Sequence, residues 1–237
     1  MKLRVVDGAP ELALEAADVL AAAVAERPEL TLALPTGRTP VPWYAELARR
    51  HAGGALDLSR ARAFNLDELV LPASDPRTFS SFMRQHAWQR IGLRRERCEI
   101  PNGTAADLDA ECRRYEAAIA EAGGLDLAVL GIGADGHIAY NMPGPFVAQT
   151  HVVRLPDGLA SSLGVPEADR PLRAVTMGLG TIRAARRLLL LATGASKLEA
   201  LRALRRGAQD PKWPCTFLAG HAAFEVLADR EAAAGLD

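Results

Sequence analysis

The amino-acid sequence predicts an α/β fold in which parallel strands are joined by crossover helices. Apolar runs of strand length alternate with amphipathic stretches of helix length along the whole chain. The 237 residues are 49% hydrophobic, enough to bury a large core. No linker, internal repeat or low-complexity segment interrupts the pattern, so residues 1–237 are expected to form a single domain.

The elements follow in order. From Pro10 to about Glu26 the alanine and leucine spacing is helical, and Pro10 suits a first-turn position. "LTLAL" at 30–34 reads as a buried strand; "PTGRTP" ends it and "VPWYAELARR" begins the next helix. "ARAFNL" at 61–66 is a second strand, followed by an irregular segment with Pro72 and Pro76 and a helix from about Thr78 to Arg90. The clearest helix runs over 106–122, where Leu108, Cys112, Tyr115 and Ile119 recur on one face and Gly123 and Gly124 supply the stop. "LDLAVLG" at 125–131 is a buried strand, and 155–172, with its Pro, Gly and Ser, reads as a mobile excursion. "LRAVTMG" and "RRLLLLATG" are further strands, "ASKLEALRALRRG" a helix and "AFEVLAD" the last strand.

Composition narrows the function. A net charge of -1 and an aromatic content of 5% give neither a basic nucleic-acid surface nor a platform of stacking rings. Cys98, Cys112 and Cys215 show no C-x-x-C spacing, so they read as reduced, mostly buried thiols, not a disulfide framework or a zinc site. The N-terminal stretch lacks the apolar core of a signal peptide, and no run is long and uncharged enough to span a bilayer. A cytoplasmic protein without a membrane partner is expected; a homo-oligomer is left open, since no residue pattern specifies or forbids one.

In an open parallel sheet, ligands gather at the carboxyl ends of strands. Four such loops carry unusual residues. In "PTGRTP", Thr36 and Thr39 offer hydroxyls, Gly37 permits close backbone approach, and the following helix adds its dipole, which suits a phosphate; an ordinary strand-to-helix turn would read the same way. In "ATGASK", Lys197 stands at the start of a helix, where a lysine opposes the dipole unless an anion sits nearby. "NLDEL" at 65–69 sets two carboxylates directly after a buried strand, where desolvation can raise a carboxyl into the range of a general base; the alternative is a solvated loop or a helix cap at Asp67.

The fourth loop, "GIGADGHIAYNMPG" at 131–144, contains G-x-G-x-x-G. A dinucleotide fingerprint requires those glycines to lead straight into a helix, and Pro143 and Gly144 break any helix within two turns. The glycines more plausibly clear room around Asp135 and His137, a pair able to shuttle protons near neutral pH. A metal site has no second histidine at ligand spacing. His51, His86, His151 and His221 have no motif context.

Taken in order, "LPTGRTP", "FNLDELV", "GIGADGHIAYNMPG" and "AVTMGLGTI…ATGASK" resemble the glucosamine-6-phosphate deaminase and 6-phosphogluconolactonase superfamily over almost the whole chain. "DPRTFSSFM" and "NGTAADLDAECRRYEAAI" are closer to the deaminase branch. The resemblance implies a Rossmann-like three-layer sandwich with a mostly parallel central sheet, and an aldose-to-ketose isomerisation coupled to ammonia loss without a cofactor. It makes Asp67 the base that moves a proton from C2 to C1. Asp135 and His137 become the relay that opens the sugar ring, and Thr36, Gly37, Thr39 and Lys197 the holders of the 6-phosphate of a sugar-phosphate substrate.

Two positions depart from the family's pattern. Deaminases usually have glutamate, in N-E-P, where this chain has Met142; the lactonase branch has an apolar residue there. Deaminases also place a phosphate-binding arginine in the lid segment, where "DGLASSLG" supplies none in register, leaving Arg38, Arg170 and Arg173 as substitutes. The first expectation is therefore an amino-sugar-6-phosphate deaminase/isomerase. A sugar-lactone phosphate hydrolase in which His137 activates water comes second, a low-turnover sugar-phosphate sensor third and a nicotinamide dehydrogenase last.

Overall fold

The computed structural model describes residues 1–236; the last residue of the span expected to form one domain lies outside them. The chain begins with β1 (Lys2–Val6), α1 (Ala9–Glu26), β2 (Thr31–Leu34), α2 (Pro40–Ala52), β3 (Arg62–Asn65), β4 (Asp67–Leu69) and α3 (Phe79–His86). It continues with β5 (Cys98–Glu99), α4 (Leu108–Glu121), β6 (Leu127–Gly131), β7 (His151–Arg154), α5 (Asp157–Ser162) and β8 (Arg173–Thr176). The remaining elements are α6 (Leu179–Arg183), β9 (Arg187–Ala192), α7 (Leu198–Arg205) and β10 (Phe224–Asp229).

Among the described residues the strands form two sheets. Seven strands in the order β1-β10-β9-β6-β2-β3-β5 make the central sheet, every pair of them parallel. Alternation along each strand builds a core on both faces. Leu32, Leu34, Leu127, Val129, Leu189 and Leu191 point to the side covered by α1 and α2. Ala33, Ala128, Leu130, Leu188 and Leu190 point to the side covered by α4 and α7. This is the three-layer arrangement the sequence predicts. The buried stripe of α1 is largely alanine, with Ala13, Ala16, Ala17 and Ala23 beside Leu12 and Leu20, and these small side chains let the helix lie close to the sheet. No helix among the described residues is long and apolar enough to cross a membrane.

The smaller sheet, β4-β8-β7, is antiparallel. It corrects two sequence expectations: "LRAVTMG" does not join the parallel sheet, and "NLDEL" is not a loop. Leu66 makes the handover. Its N–H donates to the Leu34 carbonyl of the central sheet (3.2 Å), while its own carbonyl accepts from the Met177 N–H beyond β8 (2.7 Å). The helix expected over 78–90 stops at His86: Ala87 leaves helical geometry (φ -125°, ψ -123°) and a 3-10 turn follows over 88–91. The break carries Trp88 and Ile91 into the core, so burial overrides local periodicity. β1 escapes sequence detection because it is an edge strand with charged Lys2 and Arg4 and only Val6 buried. The excursion over 155–172 is closed at its base by the Leu155 N–H donating to the Leu172 carbonyl (2.9 Å) and contains α5.

Glu68 ties β4 to α3. Its buried carboxylate accepts from the backbone N–H groups of Leu69 (2.8 Å), Phe79 (2.7 Å) and Ser80 (2.8 Å). The last two are otherwise unpaired donors of the first turn of α3. Glu68→Ala is expected to cost about 2–4 kcal/mol in urea unfolding, since buried amides lose their acceptor; a variant as stable as the wild type would remove Glu68 from this structural role.

Candidate active site

The central sheet places the site. From β2 the chain proceeds to β3 on one side, and from β6 to β9 on the other, so the carboxyl ends of the neighbouring strands β2 and β6 face a crevice. A cavity of about 500 Å³ opens there. All four loops singled out in the sequence meet in it: Thr36, Gly37, Arg38 and Thr39 after β2, Asp67 after β3, His137 after β6, and Lys197 after β9. Asp135 stands behind His137, and Leu159 and Leu163 of the excursion add to the lining.

The glycine motif serves the histidine. His137 Nδ1 donates to Asp135 Oδ1 at 2.7 Å, which leaves Nε2 as the ring nitrogen without a partner among the described residues. A Cβ on Gly133 would lie 2.2 Å from His137 Nδ1 and 2.6 Å from Asp135 Oδ1, so only glycine leaves room for the pair. Gly136 turns the chain in the left-handed region (φ +79°), and the segment after it folds back through a bridge between Ile138 and Asn141 instead of forming a helix. Burial alone would raise the Asp135 pKa, but the hydrogen bond and charge of His137 outweigh it and hold the carboxyl below its usual range.

Asp67 is the opposite case. It is 5% exposed, and its carboxyl makes no hydrogen bond among the described residues. Burial, reinforced by the neighbouring charge of Glu68, pushes its pKa up to about 8. Pairing of Asp67 with Thr176 in the antiparallel sheet fixes the position. Asp67 caps no helix: the N-cap of α3 is Thr78, whose hydroxyl accepts from the Ser81 N–H, and Glu68 accepts from the Phe79 and Ser80 N–H groups.

Two turns bring Arg38 and Lys197 to the cavity. Gly37 lies in the left-handed region (φ +101°), Pro40 opens α2, and Thr39 Oγ1 shares a 3.2 Å hydrogen bond with Thr193 Oγ1 of the turn after β9. That second turn is anchored by the Gly194 N–H, which donates to both carboxylate oxygens of Asp229 at 3.0 Å. Lys197 lies in a short 3-10 turn ahead of α7, not within the helix as the sequence suggests. Its burial lowers the ammonium pKa against the attraction of Asp135, with Arg38 adding to the lowering. Neither Arg38 nor Lys197 has an ion-pair partner among the described residues. Of the substitute arginines, Arg38 alone lines the cavity. Arg170 is spent on Ser161 Oγ (2.8 Å) and the Val165 carbonyl (3.0 Å), and Arg173 is exposed beside a different hollow.

Met142 stays out of the cavity and packs with Leu69, Phe79, Leu155 and Val165 beneath the excursion. Tyr140 was missed by sequence reasoning: it lines the cavity on the same wall as His137, the ring centroids 6.4 Å apart. It stands within the quoted motif, three residues after His137, where nothing in the spacing distinguishes a lining tyrosine from a core one.

The sequence pattern of glucosamine-6-phosphate isomerases and 6-phosphogluconolactonases matches residues 6–227. The chain belongs to this family. Among its members, the glucosamine-6-phosphate deaminase of Thermoanaerobacter pseudethanolicus is 38% identical over 98% of this chain and 94% of its own length. Glucosamine-6-phosphate deaminase 1 of Bacillus subtilis is 41% identical over 94% of each chain. The fold superposes on a monomeric glucosamine-6-phosphate deaminase with a TM-score of 0.92 and 39% identity, covering 98% of this chain and 99% of the other. The 6-phosphogluconolactonase of Trypanosoma brucei shares the fold at a TM-score of 0.78 and 22% identity, covering 100% of this chain and 98% of the other.

Two predictions follow from this family site. Gly133→Ala, which must displace the His137–Asp135 pair, is expected to lower turnover about 100-fold or more while circular dichroism stays native; full activity would show that the pair needs no such clearance. Asp67→Asn is expected to stabilise the fold. The folded pKa of about 8 exceeds the unfolded value, so the native state binds the extra proton and wild-type stability falls as pH rises from about 4 to about 8. The melting temperature of the Asn variant should exceed that of the wild type by several degrees at pH 7 and converge with it below pH 4; a gap independent of pH would refute the raised pKa.

Proposed function

We propose that the chain converts an amino-sugar 6-phosphate, glucosamine 6-phosphate or an epimer, into the ketose 6-phosphate and ammonia. The observation that carries the reading is a buried, unpaired carboxyl at Asp67 facing the same cavity as the free Nε2 of His137 and two anion-binding turns. Identity near 40% to deaminases over almost the whole chain supports it.

Each residue then has a task. The phosphate is held by Thr36, the Gly37 backbone, Arg38, Thr39 and Lys197, whose two cations are otherwise unpaired. His137 Nε2 takes the proton of the C1 hydroxyl and returns it to the ring oxygen as the C1–O5 bond breaks, giving the aldehyde; ionised Asp135 stabilises the imidazolium in between. Asp67 takes the proton from C2, and the electrons of that bond form the C1–C2 double bond while the carbonyl oxygen becomes an enolate. That oxygen gains a proton as the neighbouring ammonium loses one. Asp67 delivers its proton to C1, and the resulting C2 imine adds water and expels ammonia.

A carboxyl near pKa 8 is a stronger base than an ordinary aspartate and remains partly ionised near neutrality, which is what abstraction of a weakly acidic C–H requires. The lactonase alternative is favoured by one observation, the apolar Met142, but it leaves the raised pKa of Asp67 without a use.

Ammonia release from glucosamine 6-phosphate and galactosamine 6-phosphate, assayed beside hydrolysis of 6-phosphogluconolactone, tests the reading. Ammonia is expected, with kcat/KM half-maximal near pH 8 as Asp67 ionises and levelling off above about pH 9, and Asp67→Asn is expected to lose about 1,000-fold or more. Lactone hydrolysis unaffected by Asp67→Asn, without ammonia from either sugar, would overturn it.

A further inference from the structure

Tyr140 presents a hydroxyl to the cavity that bonds to nothing among the described residues, although the side chain is 7% exposed. The oxygen is open to the cavity, so a ligand entering there can displace its water and take up its hydrogen bond. We infer that the Tyr140 hydroxyl is a further catalytic contact, donating a hydrogen bond to the substrate's C1 oxygen as that oxygen gains charge during removal of the C2 proton. The inference rests on the deaminase reading above.

The surrounding structure fixes Tyr140 relative to the base. Its backbone N–H donates to Thr176 Oγ1 at 3.0 Å, and Thr176 is the residue paired with Asp67 across the antiparallel sheet. The ring stacks on Phe79 (centroids 5.8 Å, planes 27° apart) and meets the His137 ring at 44°. The phenol therefore shares one wall with the residue that would take the C2 proton and the one that would open the ring.

Its chemistry suits donation, not proton transfer. Burial, with the charges of Asp67 and Glu68 adding to it, holds the phenol pKa above its usual range, so the hydroxyl keeps its proton. The neighbouring lining is apolar, consisting of Ala139, Phe79, Leu159 and Leu163. In such surroundings a developing oxyanion needs a preorganised donor, and one donor there has a large effect on rate. Arg38 and Lys197 are committed to the phosphate in this reading.

The test compares wild type, Tyr140→Phe and Asp67→Asn in turnover and in binding of 5-phospho-D-arabinonohydroxamate, whose planar hydroxamate imitates the enediolate, with inorganic phosphate as the control ligand. Tyr140→Phe keeps the ring. It is expected to lower kcat roughly 10- to 100-fold with KM within about twofold, and to weaken hydroxamate binding about tenfold, with phosphate affinity and melting temperature unchanged. A merely structural role would lower the melting temperature and leave the preference for hydroxamate over phosphate intact. Wild-type kcat and hydroxamate affinity in Tyr140→Phe, or a wild type that does not bind the hydroxamate, would overturn the inference. Hydroxamate binding lost in Tyr140→Phe, from a wild type that releases no ammonia, would refute the deaminase reading and leave the tyrosine contact standing.

Discussion

The site depends on Leu66 belonging to two sheets at once. Its N–H completes the parallel ladder from β2, and its carbonyl opens the antiparallel pairing with the segment after β8. A strand that ended in an ordinary loop would release the next residue to water. Here the next residue is Asp67, held in β4 with its flanking backbone paired and its carboxyl turned into a cavity where it has no partner. The raised pKa is thus a consequence of topology: the chain must cross from one sheet to the other at the carboxyl end of β3, and whatever follows Leu66 is buried.

The two carboxyls of the site are driven apart by their surroundings. Asp135 shares the Nδ1 proton of His137 and stays ionised, while Asp67 has neither donor nor cation and is pushed towards neutrality. In the proposed reaction the first would sustain a positive charge on the imidazole and the second would take a proton from a C–H bond. Gly133 is what permits the first and Leu66 what enforces the second, so a backbone clearance and a backbone hydrogen-bond pattern together create the acid–base difference.

How far the sequence disclosed this follows from where each signal was stored. β2, β6 and β9 are buried on both faces and read as apolar runs, so the parallel core and the loops at its carboxyl ends were legible, and with them Thr36, Asp67, His137 and Lys197. Edge and antiparallel strands of three to five residues lack such runs: β1 and β7 are half exposed, and β4 spells "DEL". That Glu68 and not Asp67 turns to the first amides of α3 could not be read either, since it depends on which side of a three-residue strand faces α3. Tyr140 was hidden because its role comes from Thr176 and Phe79, distant in sequence. Arg38, Arg170 and Arg173 are equivalent as letters; the fold separates them, placing Arg38 at the cavity, bonding Arg170 to Ser161 and Val165 and setting Arg173 beside another hollow.

The titratable groups that line the cavity lack the protein partners that buried carboxylates have elsewhere. Buried carboxylates elsewhere are satisfied: Glu68 accepts three amides, Asp229 accepts from Gly194 and Ala232, and Glu111 accepts from Asn102 and Arg114. At the cavity, Asp67, Arg38, Lys197 and the Tyr140 hydroxyl have no such partners. Their arrangement is polarised, with both cations near the turns after β2 and β9 and the protonatable groups on the wall formed by β4 and the loop after β6. A ligand that completes all of them at once must be anionic at one end and carry exchangeable hydrogens a few atoms away. A phosphorylated sugar has that shape.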